Sequence, residues 1–232
     1  MNCIIASTST VHGSEYLEYL QHQLSELYAN VDEVVFIPYA RPSGATFVEY
    51  TAHAKPIFES LGILLKGIHE FDDPQKAIQH AKGLFVGGGN TFLLVKTLHD
   101  LNLMDRLKQA VLTGIPYLGT SAGSNICGIN MQTTNDMPIV QPSSFKTMGI
   151  LPFNINAHYL EPDPKSTHKG ETRRTRIKEF QCFNDINVLG LKEGSWVEIK
   201  GESISLKGDL EAVWFMPGED PEILHPKHRF NV

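Results

Sequence analysis

The chain has 232 residues, 41% of them hydrophobic and 20% charged, which is enough for a sizeable core and matches the composition of a soluble globular protein. A formal net charge of −6 with no basic run argues against a nucleic-acid-binding surface. The three cysteines, Cys3, Cys127 and Cys182, are scattered with no C-x-x-C pairing, so neither a disulfide framework nor a zinc site is suggested, and no stretch approaches a membrane span.

Apolar and amphipathic segments alternate through the first half. Cys3 to Ala6 reads as a strand; with no basic segment before it, it is not a signal peptide, and the expected location is cytoplasmic. Leu17, Leu20, Leu24 and Leu27 recur at helical spacing, predicting a helix over Ser14 to Tyr28. A second strand, Glu33 to Ile37, is ended by Pro38, and a helix is expected from Thr46 to Leu61. A strand over Leu64 to Ile68 follows, then a short helix from Pro74 to His80 capped by Asp72 or Asp73. The strand Gly83 to Val86 runs into Gly87-Gly88-Gly89, and Thr91 to Leu112 is helical. Ile115 to Leu118 is the next strand. Continuous apolar strands alternating with helices predict a parallel sheet covered on both faces.

The second half changes character. Phe153 to Ala157 is strand-like, and Lys169 to Phe183 reads as a charged helix. Short strands at Val188 to Leu191, Ser195 to Ile199, Ser203 to Leu206 and Ala212 to Met216 are divided by glycine-rich turns, with a hairpin expected around Lys200-Gly201-Glu202. The prediction is one α/β domain spanning residues 1–232, a three-layer sandwich with a mostly parallel sheet and a C-terminal antiparallel addition.

Chemistry concentrates at Gly119-Thr120-Ser121-Ala122-Gly123. This is G-x-S-x-G, in which a sharp turn from strand to helix lifts a serine hydroxyl to the edge of a sheet. The same residues also suit an ordinary helix cap at Ser121 or Ser124. A serine needs a base, and His158 is the best placed of ten histidines, because it enters a loop from the end of a strand. Glu193 follows another strand, where it fits either an orienting acid or a solvated turn residue beside Gly194. The run Val86-Gly87-Gly88-Gly89-Asn90-Thr91 exposes backbone N–H groups between strand and helix. It is not a G-x-G-x-x-G fingerprint, so beside a serine elbow it reads as half of an oxyanion hole, with donors near Gly89 and at Ala122.

The sequence resembles the peptidase E family of serine peptidases, the α-aspartyl dipeptidases. The resemblance covers most of the chain and rests on Phe36 to Ala40, Val86 to Phe92, Ser121-Ala122-Gly123, Thr133 to Val140, Asn156-Ala157-His158, His168 to Arg173, Leu191 to Trp196 and His228-Arg229-Phe230. It implies a flavodoxin-like fold of the glutamine-amidotransferase type and a Ser121–His158–Glu193 triad. It also implies dipeptide substrates with an N-terminal aspartate and no metal or organic cofactor. An aspartyl carboxylate calls for a bidentate arginine, for which Arg173 is the candidate against a plain helix-face role; His168 and Glu171 would support it. Asp136 is a candidate for the substrate ammonium, or else forms an Asx turn before Met137-Pro138.

Two positions depart from the family pattern. Thr120 stands where many members carry tryptophan, and fits the related cyanophycinase group instead; Asn156-Ala157-His158 stands for Asn-Pro-His. An isoaspartyl or cyanophycin-type peptidase and a non-catalytic aspartyl-peptide-binding protein are therefore the alternatives. A glutaminase would need a cysteine at the elbow, and Cys127 reads as a packing residue. His225 to His228 reads as a surface tail rather than a metal site. No nucleic-acid or membrane partner is expected, and monomer and homodimer both fit.

Overall fold

A computed structural model describes residues 1–42, 46–162, 165, 167 and 169–230. The strands are β1 (Asn2–Ala6), β2 (Glu33–Ile37), β3 (Leu64–Gly67), β4 (Leu84–Val86), β5 (Tyr117–Thr120), β6 (Asn154–Ala157), β7 (Val188–Leu191), β8 (Trp196–Lys200), β9 (Ser203–Lys207), β10 (Ala212–Phe215), β11 (Glu222–Leu224) and β12 (Arg229–Phe230). The helices are α1 (Gln21–Leu27), α2 (Phe47–Ser60), α3 (Pro74–Gln79), α4 (Thr91–Asp100), α5 (Met104–Leu112), α6 (Ala122–Asn125) and α7 (Arg173–Gln181).

Eight strands form one sheet in the order β12-β9-β8-β1-β5-β4-β2-β3. The five from β1 to β3 in that order are parallel, and β8, β9 and β12 extend the sheet antiparallel, with β8 and β9 joined through Gly201-Glu202 as the expected hairpin. Side-chain alternation divides the core. Ile4, Val34, Phe36 and Phe85 face α1 and α2, while Cys3, Ile5, Val35, Ile37 and Val86 face α4, α5 and a second sheet. The expected C-terminal antiparallel addition is divided between the two sheets: β8, β9 and β12 join the first, and β10 and β11 pair antiparallel with β7 in the second sheet, β11-β10-β7-β6. Its inner residues Ile155, Leu189 and Leu191 join the main core, while Val188, Val213 and Phe215 on its outer face pack against Ile177 of α7.

Three helices differ from expectation. The predicted 91–112 helix breaks into α4 and α5 at Asn102, which sits at φ 55°. The Asn102 N–H bonds His99 O at 3.0 Å and the Leu103 N–H bonds Leu98 O at 2.7 Å, a Schellman closure with asparagine in the left-handed position. The first helix keeps only a 3₁₀ turn and α1, because Leu17 at φ 59° sends its N–H back to Ser9 O instead. α7 starts at Arg173 rather than Lys169, where the Thr172 hydroxyl accepts from Thr175 N. Asp73, not Asp72, caps α3.

Candidate active site

Ser121 sits at φ 53° and ψ −109° between β5 and α6, a conformation that costs a non-glycine residue about 1–3 kcal/mol. The surroundings hold it there. Its N–H donates to Ala6 O at 3.1 Å, and Ser124 Oγ lies 2.6 Å from the same carbonyl. The flanking glycines permit the close approach: a Cβ on Gly119 would stand 2.6 Å from Gly123 O, and one on Gly123 would strike the Val86 carbonyl.

His158 leaves the end of β6, and Glu193 follows β7 by two residues. Because β6 and β7 are parallel with Ala157 opposite Leu191, both residues emerge at one end of the second sheet, above the end of β5. His158 Nδ1 lies 2.6 Å from Glu193 Oε1, and Nε2 lies 2.8 Å from Ser121 Oγ. A carboxylate only accepts, so Glu193 fixes the proton on Nδ1 and leaves Nε2 free to accept the serine proton. The Tyr19 phenol, which donates to Thr8 O at 2.6 Å, is pushed up by burial and by the nearby Glu193 charge, so it stays a neutral donor beside the carboxylate.

The two sheets are clasped at this point by Ser7, a residue that no sequence motif marks. The fully buried Ser7 accepts from the His158 N–H at 2.8 Å and donates to Leu191 O at 2.7 Å, joining the end of β1 to both strands that deliver the histidine and the glutamate. The only signal for it was position, a hydroxyl at the carboxyl end of the first parallel strand. Ser7→Ala orphans two backbone groups, so it is expected to destabilise the fold by about 1–3 kcal/mol. It is also expected to lower kcat about 10–100-fold with less effect on KM, through lost alignment. Urea denaturation alongside steady-state kinetics checks both; an unchanged kcat would leave Ser7 a purely structural clasp.

Opposite His158 stands the glycine run. Gly88 packs against Ser121, with an added Cβ only 3.0 Å from the serine Cβ, and Gly89 is held at φ +141°. Among the described residues the N–H groups of Gly88, Gly89 and Ala122 meet no acceptor, whereas Gly87 N bonds Ile37 O at 3.2 Å and Asn90 N bonds Ala40 O at 2.7 Å. Gly88 therefore joins the expected pair as a donor available to an oxyanion.

The candidate substrate residues fare differently. Arg173 opens α7, half-buried, and its Nη1 is buried without an acceptor among the described residues. Burial lowers its pKa from the ordinary guanidinium value, opposed by the charge of Glu193 nearby. Asp136 is partly engaged already: Oδ2 accepts from the Thr91 N–H at 2.7 Å and from the Thr134 hydroxyl at 2.9 Å, capping the start of α4. Thr133, Asn135 and Asn156 tie the same loop to β6, with Asn135 Nδ2 donating to Ala157 O at 2.8 Å, just before His158. Glu171 is exposed ahead of α7, and His168 lies outside the described residues. Cys127 is buried behind the elbow, 3.4 Å from Gly123 O, with its thiol pushed up by burial, as befits a packing residue. No group of three or more potential metal ligands occurs among the described residues; His225 pairs instead with Glu211 at 2.9 Å.

The profile of peptidase family S51 matches residues 3–207. A peptidase E from Streptomyces coelicolor is 44% identical over 224 residues, covering 97% of this chain and 91% of that one. A protein of Drosophila melanogaster described as a "probable alpha-aspartyl dipeptidase" is 42% identical over 228 residues, covering 97% and 94%. The crystal structure of a peptidase from an acI-B1 Actinobacterium superposes with a TM-score of 0.68 at 17% identity, covering 100% of this chain and 96% of that one, a likeness of fold alone.

Proposed function

The chain belongs to peptidase family S51 and is a serine-type dipeptidase, and from that premise we propose that it hydrolyses dipeptides with an N-terminal aspartate, using Ser121 as nucleophile, His158 as base and Glu193 as the acid that orients it. The observation that carries the reading is the pair of hydrogen bonds at His158, 2.8 Å to Ser121 Oγ and 2.6 Å to Glu193 Oε1. Nε2 takes the hydroxyl proton as Oγ attacks the carbonyl carbon of the aspartyl residue. The N–H groups of Ala122 and of Gly88 or Gly89 receive the oxyanion. Nε2–H then protonates the leaving amine as the C–N bond breaks, and a water, deprotonated by the same nitrogen, releases aspartate from the ester.

Arg173 takes the aspartyl side-chain carboxylate, since a buried guanidinium nitrogen with no acceptor has its hydrogen-bonding capacity in reserve. Asp136 Oδ1, which meets no donor among the described residues, receives the substrate ammonium. Three unpaired cysteines, two of them buried, support a reducing cytoplasmic setting, and no helix among the described residues is long and apolar enough to cross a membrane.

A panel of Asp-Leu, Asn-Leu, Glu-Leu, β-Asp-Leu and β-Asp-Arg tests the substrate. Asp-Leu is expected to exceed Asn-Leu in kcat/KM by about 10³-fold or more, because the amide cannot satisfy the arginine. Faster turnover of either β-linked peptide would move the assignment to an isoaspartyl or cyanophycin-type peptidase. Tight binding of Asp-Leu with no turnover would make the protein a binder.

A further inference from the structure

A dipeptide carries a second carboxylate, at its C-terminus, and a separate cation stands on the far side of the oxyanion loop from His158. In the sheet, β4 is next to β5 and β2 is next to β4, so the chain leaves β5 at Ser121, β4 at Gly87 to Gly89 and β2 at Ala40 and Arg41 in lateral order. Two strand spacings, about 10 Å, separate β2 from β5, so Arg41 and Ser121 leave the sheet at laterally offset strands. The arginine side chain lies on an aromatic seat that is tied to the glycine loop. Its guanidinium carbon sits 4.2 Å above the centre of the Tyr50 ring, whose hydroxyl reaches Gly88 O at 3.3 Å, and Gly88 is the residue packed on Ser121. Tyr16 completes the seat, its hydroxyl 3.4 Å from that of Tyr50 and within electrostatic reach of Arg41. The backbone below is fixed as well: Ala40 O accepts from Asn90 N at 2.7 Å, and any Cβ on Gly89 would strike it.

Arg41 is exposed and has no carboxylate partner among the described residues, so its seat is aromatic rather than ionic. Ring stacking holds the planar guanidinium in place while leaving its N–H edge free for a carboxylate. A dipeptide bound with its scissile carbonyl between Ser121 and the glycine N–H groups, and its aspartyl side toward Arg173, carries its C-terminal carboxylate only one residue further on, about 3.6 Å of extended chain.

We propose that Arg41, stacked on Tyr50, binds the C-terminal carboxylate of the leaving residue and so measures substrate length, selecting dipeptides over longer or capped peptides. This rests on the dipeptidase reading above. A cation there makes the site an exopeptidase by charge rather than by a wall: a tripeptide or an amide presents the same scissile bond but leaves the guanidinium without its partner.

The experiment compares Asp-Leu with Asp-Leu amide, the same peptide with its carboxylate capped. The wild-type chain is expected to favour the free acid at least tenfold in kcat/KM. In Arg41→Gln the KM for Asp-Leu should rise about tenfold or more, and the preference for acid over amide should collapse toward one. Arg41→Lys should restore part of the preference, since charge is kept while the stacked fork is lost. A fall in both substrates by the same factor, or no change in either, would overturn the clamp while leaving the dipeptidase reading intact. A wild-type chain inert toward Asp-Leu would overturn both.

Discussion

Replacing Ser121 with alanine is expected to lower kcat on Asp-Leu by about 10⁵- to 10⁶-fold, some 7–8 kcal/mol of transition-state stabilisation. The magnitude follows from the division of labour at the elbow. Without Oγ there is no covalent route, and what survives is the positioning of the peptide and the N–H groups of Gly88, Gly89 and Ala122, which keep about a 10³- to 10⁴-fold advantage over water. His158→Ala should be nearly as damaging, because its two bonds, 2.6 Å to Glu193 and 2.8 Å to Ser121, make it the one group in contact with both partners. The double variant should be scarcely slower than the worse single one, since groups that act as a unit are lost together. Single-turnover assays with each purified variant provide the measurement. Strictly multiplicative losses would mean that the two side chains work separately, and wild-type turnover in Ser121→Ala would remove the mechanism. The φ of 53° at residue 121 adds a structural readout: relief of strain by a glycine there should raise stability while abolishing activity.

What could be read from the sequence and what could not divide along one physical line. The parallel strands from β1 to β5 are apolar runs bounded by turn chemistry, and their order of appearance announces the α/β layering. The elbow was visible because its glycines and serine are contiguous, and close backbone approach permits little else at those positions. Glu193 was different. From local pattern it is a turn glutamate before Gly194; its partnership with His158 depends on the pairing of Ala157 with Leu191, 34 positions apart in the chain. No periodicity encodes that register, and only likeness to a family supplied it in advance. The division of the C-terminal strands between two sheets has the same cause, since short strands do not say which edge they join. Ser7 was hidden in a polar run, Ser7-Thr8-Ser9-Thr10, in which nothing distinguishes the hydroxyl that bridges two sheets from those that face turns. The break between α4 and α5 is an error of another kind, because asparagine at a helix end is a local stop signal and was available at Asn102.

Arg173→Met should lower kcat/KM for Asp-Leu by about 10²- to 10³-fold, the usual consequence of removing one partner of a desolvated charge pair. The advantage of Asp-Leu over Asn-Leu should shrink together with it, as the proposed pairing of Arg173 with the aspartyl carboxylate requires. Stability decides between a substrate role and a structural one. A guanidinium nitrogen buried with no acceptor among the described residues costs the free enzyme its lost hydration, and the Glu193 charge compensates only in part. If Arg173 exists to meet a carboxylate from the substrate, methionine, which fills similar length without the charge, should leave the midpoint of urea denaturation unchanged or raised. If instead the side chain anchors α7 to the second sheet, the same substitution should lower the midpoint and depress both substrates equally. The first outcome ties specificity to an electrostatic cost held in reserve until the aspartyl group arrives, and it predicts that free aspartate, as product, protects the wild-type protein against denaturation but not the Arg173→Met variant.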